Sequence, residues 1–354
     1  MVRSLLFPLT IVLFMVTSGF SQTNETRVIT VGSRTHHCIW HVPKEYNKPA
    51  VVFFVHGAGG SGGAFQRETK GDTVADKEHF IAVYPSASRD GTGSQWADMW
   101  GTSDFPFYLA VIDTLKKRYS IDTNRIYMTG FSQGGMISFV AGCSYSKVFA
   151  AVAPVSGHAG TTCTIKRPVP MFITFGTQDY GVTNGDLSSF WADMKTWLKL
   201  DSCPSTPTLI HPYPASKPSS KVGRISYGPC AQGSYVIVDT VSRQTHMWPT
   251  DRNQAEEVWA FFKQFSLKGP ETTTLKSKII SHEKPFTVSY ISEVIKIQGM
   301  EKNCQIKVTD TKGRLIVKNV NTRSQLSFTN KPSGVYMVVV GEKEKVAASR
   351  IVVP

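Results

Sequence analysis

Short, largely apolar runs without alternation recur through the first three quarters of the chain: Ala50–Val55, Phe80–Tyr84, Arg125–Thr129, Val148–Pro154, Val169–Phe175 and Ser234–Val241. A strand that is apolar at successive positions suits a sheet buried on both faces. Between them lie segments with apolar residues at helical spacing: Asp104–Tyr119, Gly135–Gly142, Asp186–Leu200 and Arg252–Phe265. Asp104 stands where a helix cap is expected. Two shorter strands, Arg27–Gly32 and His36–Val42, come first. Strands alternating with helices predict an α/β domain with a mostly parallel sheet covered on both faces.

The pattern changes after Lys268–Lys284, a polar Thr/Lys-rich stretch with no apolar period that reads as a linker. Beyond it come alternating runs at Phe286–Ile291, Val294–Gln298, Gln305–Thr309, Arg314–Val317, Gln325–Phe328, Val335–Val340 and Val346–Val353. Turn residues separate them, so a small all-β sandwich is expected at 285–354. Met1–Ser21 has Arg3, an apolar run Leu5–Val16 and the small-x-small Gly19-Phe20-Ser21, the marks of a cleaved export signal. The expected order is signal 1–21, α/β domain 22–266, linker 267–284 and β domain 285–354.

The formal charge of +13 is uneven: from Lys268 onward there are 15 Lys/Arg against 7 Asp/Glu. Acidic partners are therefore expected, such as a cell envelope or acidic polysaccharide. No basic patch interleaves with stacking aromatics, which argues against nucleic acid. Six cysteines in an exported chain predict disulfides, with Cys143/Cys163 and Cys203/Cys230 the plausible pairs along the chain. None has a C-x-x-C partner or metal-type spacing with histidine, so no zinc site is expected.

The chemistry centres on Gly130-Phe131-Ser132-Gln133-Gly134 between a strand and a helix. A strand–turn–helix holding G-x-S-x-G forces the serine into a strained conformation and raises its hydroxyl above the sheet. The Gln133 N–H and the helix N-terminus can then stabilise an oxyanion. The glycine-rich His56–Gly63 loop closes the Ala50–Val55 strand and supplies a second N–H, near Ala58. Serine needs a base, and the base an orienter. In chain order Asp179, past the Val169–Phe175 strand, is the candidate acid, with Asp186 its rival. His246 is the candidate base, against His158 and His211. Trp96, Trp100 and Trp248 are candidate stacking surfaces for a substrate ring.

Three blocks together carry a resemblance: His56-Gly57-x-Gly59-Gly60; Ile121-Asp122-x-x-Arg125-Ile126-Tyr127-x-x-Gly130-x-Ser132-x-Gly134-Gly135-Met136; and Phe149–Gly157. Over about residues 28–266 the chain resembles the secreted feruloyl esterase, acetyl xylan esterase and polyhydroxybutyrate depolymerase-like α/β-hydrolases. The resemblance implies Ser132 as nucleophile, Asp179 as acid and His246 as base, acting without a cofactor on polysaccharide or polyester substrates. Phe175 before Gly176, and Arg243-Gln244-Thr245 before His246, depart from the family pattern and bear on the acyl pocket. Val308-x-Asp310-x-x-Gly313-Arg314, Ser333-Gly334-Val335-Tyr336 and a terminal strand resemble the sorting domain of the type IX secretion system. That implies outer-membrane secretion machinery as a partner; a monomer is expected. A depolymerase, or a non-catalytic adhesin on the same fold, are the other readings.

Overall fold

The computed structural model describes residues 23–87, 96, 102–158, 163, 165–183 and 187–270, and, in the C-terminal part, 287–291, 294–298, 304–310, 315–322, 325–328, 334–342 and 345–353. The expected export signal, Trp100, Asp186 and the linker beyond Pro270 lie outside these residues. The chain divides into two compact units, Met1–Thr272 and Thr273–Pro354.

In the first unit the strands are β1 (Thr23–Val31), β2 (Arg34–Val42), β3 (Val51–Val55), β4 (Ile81–Pro85), β5 (Ile126–Phe131), β6 (Ala151–Val155), β7 (Met171–Gly176), β8 (Thr208–Ile210), β9 (Val222–Tyr227) and β10 (Val236–Val241). They form one ten-stranded sheet in the order β1-β2-β4-β3-β5-β6-β7-β10-β9-β8. From β4 through β10 the neighbours pair in parallel, and the pairs β1–β2, β2–β4, β10–β9 and β9–β8 are antiparallel. The helices are α1 (Gly62–Thr69), α2 (Gly71–Glu78), α3 (Phe105–Tyr119), α4 (Gln133–Ser144), α5 (Tyr180–Thr183), α6 (Ser188–Leu200) and α7 (Gln254–Phe262).

Successive strand residues enter two separate cores. Val51, Phe53 and Val55 of β3 meet α3, α4 and α6 residues such as Tyr108, Phe139 and Trp197. Val52 and Phe54 turn the other way, toward Phe65 of α1, Val74 of α2 and Phe262 of α7. Burial of both faces explains why these strands show no polar alternation.

Several local expectations are revised. Asp104 has φ −90° and ψ −9°, already helical, and makes no side-chain cap bond to α3. Its buried carboxylate instead accepts from Arg34 Nη1 at 3.1 Å. The run at Val148 begins as a turn, with Val148 N–H donating to Tyr145 O at 2.8 Å, and the strand starts only at Ala151. Phe149 and Ala150 are nevertheless buried, which is why the apolar pattern extended over them. The first residues of the expected linker are also structured: β11 (Phe265–Ser266) pairs with β12 (Gly269–Pro270), and Leu267 N–H donates to Asn124 O. Disulfides join Cys143 to Cys163 and Cys203 to Cys230, as expected, and Cys38 is buried and free.

The second unit holds β13 (Thr287–Ile291), β14 (Val294–Gln298), β15 (Cys304–Asp310), β16 (Leu315–Thr322), β17 (Gln325–Ser327), β18 (Gly334–Glu342) and β19 (Lys345–Val353). They form a three-stranded sheet, β13-β14-β17, and a four-stranded sheet, β16-β15-β18-β19, all antiparallel. Ile295, Ile306, Val308, Phe328 and Val338 are buried, and the Phe328 ring meets Tyr336 edge-on at 5.0 Å.

Candidate active site

The site stands at the C-terminal ends of β3, β5, β7 and β10, where open α/β sheets place their ligands. Ser132 follows β5 with φ +55° and ψ −116°, a strained backbone for a residue carrying a side chain. The turn closes only because its flanks lack side chains. A Cβ on Gly130 would lie 2.5 Å from the Gly134 carbonyl, and one on Gly134 would lie 1.9 Å from Val55 O. The elbow is thus wedged directly against the end of β3.

Ser132 Oγ donates to His246 Nε2 at 2.9 Å, and His246 Nδ1 donates to Asp179 Oδ1 at 2.8 Å. Asp179 is fully buried, and the same oxygen accepts the Gly181 N–H at 2.9 Å. A carboxylate can only accept, so it fixes the proton on Nδ1 and leaves Nε2 to take the serine proton. The loops carrying the acid and the histidine are stitched together. Thr177 N–H donates to Val241 O, Gln178 N–H to Gln244 O, and Arg243 N–H to Thr177 Oγ1, each at 2.9 Å. The His246 ring packs on Phe131 at 4.8 Å, and a Cβ on Gly181 would come 2.6 Å from its Nδ1.

Opposite the histidine, the His56–Gly60 loop runs beside the serine: a Cβ on Gly57 would meet Ser132 Cβ at 3.1 Å. Gly60 N–H donates to Gly57 O, closing a turn with Ala58 at its exposed tip. Gln133 is the first residue of α4, so its N–H has no acceptor within the helix. His56 anchors this loop. Its Nδ1 donates to Gly57 O at 2.7 Å and its Nε2 accepts from Ala87 N–H at 3.2 Å. Burial pushes the His56 pKa below its ordinary value, in keeping with a neutral ring that donates once and accepts once. A cavity of about 250 Å³ opens beside the loop, walled by His56, Gly57, Ala58, Phe65, Glu68 and Phe131.

Two of the three candidate tryptophans are buried, and Trp100 lies outside the described residues. Trp96 is only 4% exposed; its indole donates to His56 O at 2.9 Å, and its main-chain N–H donates to Gln133 Oε1 at 3.3 Å. Trp248 is 2% exposed, edge-on to Phe65 of α1 at 5.2 Å. Both large rings are used up in packing, which their apolar area favours. Neither rival histidine joins the serine. His158 Nδ1 bonds Asp193 Oδ2 at 2.6 Å, and His211 lies against Gly223. Among the described residues, no three His, Cys, Asp or Glu side chains converge as a metal ion would require. Two residues of the quoted motifs to which the sequence reading gave no individual role also shape the site: His56 as loop anchor and Phe131 as the seat of His246.

A parallel sheet with a serine on a strained strand-to-helix turn, bonded through histidine to a buried acid, defines the α/β-hydrolase class. Comparison with known proteins agrees. Residues 72–209 match the prolyl oligopeptidase family, and residues 291–354 match the secretion system C-terminal sorting domain. A bifunctional acetylxylan esterase/xylanase from Neocallimastix patriciarum is 32% identical over 225 residues, covering 63% of this chain and 32% of that protein. Feruloyl esterase D from Neurospora crassa is 28% identical over 183 residues, covering 50% of this chain and 60% of that protein. The chain thus spans 32% and 60% of the length of these two relatives. The solved acetyl xylan esterase from Aspergillus awamori shares the fold, with TM-score 0.52 and 17% identity over 67% of this chain and 98% of that one. The chain has the α/β-hydrolase fold, is similar to acetylxylan and feruloyl esterases over part of their length, and its match to a secretion sorting domain supports a secreted or cell-surface location.

Proposed function

We propose that the protein is a serine carboxylic ester hydrolase acting on esters of plant cell-wall polysaccharide, feruloyl or acetyl esters of xylan. The observation that carries the chemistry is the continuous hydrogen-bonded chain Ser132–His246–Asp179, with links of 2.9 and 2.8 Å, and the acetylxylan and feruloyl esterases this protein is similar to support the substrate class. His246 takes the Ser132 proton as Oγ attacks the ester carbonyl. The main-chain N–H groups of Gln133 and Ala58 hold the resulting oxyanion. The tetrahedral intermediate collapses, His246 returns the proton to the departing alcohol, and an acyl-Ser132 ester remains. Water, deprotonated by His246, then releases the acid and restores the serine. Asp179 holds the imidazole in the required tautomer and offsets its positive charge while it is protonated.

Residues 22–266, with the β11–β12 hairpin that follows them, form the catalytic domain in this reading, the remainder of 267–284 a linker and 285–354 a β-sandwich. The sandwich is supported by the two antiparallel sheets and their shared set of buried residues. It would be the element recognised by outer-membrane secretion machinery, a role the sorting-domain match supports.

The test is hydrolysis of methyl ferulate, acetylated xylan, polyhydroxybutyrate and a prolyl peptide anilide by wild type and Ser132→Ala. Turnover of the first two, lost in the variant, is the expected result. Preference for the polyester or the peptide would replace the substrate class. Turnover that survives in Ser132→Ala would overturn the mechanism.

A further inference from the structure

The ester-hydrolase reading leaves open what holds the substrate's ring, since the two described tryptophans are sealed inside. Among the described residues the large hydrophobic side chains left exposed are Val28, Tyr180, Leu209 and Met247, at 55%, 76%, 69% and 39%. Val28 and Leu209 lie on β1 and β8, the outermost strands of the sheet. Tyr180 and Met247 instead directly follow Asp179 and His246 in the chain.

The exposure of Tyr180 is built in by its neighbours. Asp179 on one side is fully buried, and Val182 is 2% exposed in the core. The Gly181 N–H is bound by the Asp179 carboxylate at 2.9 Å, and the Val182 N–H by the Asp179 carbonyl at 3.1 Å. Gly181 itself leaves room for the His246 ring. With both flanks locked inward, the phenol ring is turned out to solvent one residue along the chain from the Asp179 that bonds His246. An exposed aromatic ring forgoes the burial it would gain in a core, and it offers a flat apolar face at small entropic cost.

Resting on the ester-hydrolase reading, we propose that Tyr180 is a specificity-determining residue whose ring stacks on a flat ring of the substrate. That ring arrives either in the acyl group, as a hydroxycinnamoyl ring, or in the alcohol part, as the pyranose of a polysaccharide. Tyr180 takes no part in proton transfer.

The test compares wild type, Tyr180→Ala and Tyr180→Phe on triacetin (no ring), methyl ferulate (ring in the acyl part) and acetylated xylan (ring in the alcohol part). Tyr180→Ala should leave kcat and KM on triacetin within about twofold. On one ring-bearing substrate its KM should rise roughly tenfold, the size expected for a single stacked ring. The substrate affected tells which side of the ester meets Tyr180. Tyr180→Phe keeps the ring and should retain wild-type KM. An unchanged KM on both ring-bearing esters would refute the stacking role, and so would an equal loss on all three substrates. If wild type hydrolyses none of them while correctly folded, the ester-hydrolase reading itself fails and this proposal goes with it.

Discussion

Replacing Gly134 by alanine should damage catalysis far more than folding. The added methyl would stand 1.9 Å from Val55 O, 2.5 Å from Val55 C and 2.8 Å from His56 O. All three are backbone atoms, so no side chain can rotate away. To reach even 3.0 Å from the carbonyl oxygen, the start of α4 must part from the end of β3 by about 1 Å. The Gln133 N–H rides on α4 and the Ala58 N–H follows β3, so the oxyanion donors move apart by a similar distance. A displacement of about 1 Å in a catalytic array costs on the order of 100-fold in rate. The strain costs about 1–3 kcal/mol of stability, which a domain of this size survives. The assay is kcat/KM on a soluble ester alongside thermal unfolding. Gly63→Ala is the control: its methyl meets Ile39 Cδ1 at 3.4 Å, an ordinary contact on a helix, and should be neutral or stabilising by up to about 1 kcal/mol. A Gly134→Ala protein with wild-type turnover and melting would refute the wedge argument.

Other perturbations have equally specific expected outcomes. Asp179→Asn should lower kcat by roughly 10³–10⁴-fold while melting near wild type, because the amide can still accept the Gly181 N–H but no longer fixes the His246 tautomer; unchanged kcat would remove Asp179 from the mechanism. Cys143–Cys163 and Cys203–Cys230 close loops with separations of 20 and 27 residues, so removing either pair by serine substitution should cost roughly 3 kcal/mol, read from denaturant melts. Because His56 has a lowered pKa when folded, the unfolded chain binds the extra proton between the two values. Its stabilisation is complete above about pH 6.5 and is lost as pH falls through the folded value. The melting temperature should therefore drop on acidification through that window, less steeply in His56→Gln; identical slopes would exclude His56 as the titrating anchor.

Much of this architecture was legible in the chain. Val51–Val55 and Met171–Gly176 announce themselves by unbroken apolar sequence, because both their faces are covered. Ser132, Asp179 and His246 were legible because chemistry restricts them to strand ends in a fixed order, and the hydrogen bonds now join those three. Helices α1 and α2 escaped notice because each buries few large side chains, Phe65 in one and Val74 in the other, within glycine-rich or charged sequence. Strand β9 escaped for a related reason: most of Val222–Tyr227 is only half-buried near the sheet edge, so its apolar signal is diluted. Trp96 and Trp248 could not be read as core residues from the chain, because an indole serves a core and a sugar equally well. Nothing in composition tells that Trp96 spends its N–H on the His56 carbonyl.

Ser132 and His246 stand 114 residues apart and ride on β5 and β10, with β6 and β7 between those strands in the sheet. No fragment that ends before β10 can therefore assemble the hydrogen-bonded chain from serine to acid. During synthesis β10 emerges after every other strand of the large sheet, and α7, which covers it, later still. A nascent or incompletely refolded molecule is chemically silent until nearly the whole first unit has formed. Esterase turnover would then serve as a readout of completed folding, switching on only for the finished molecule.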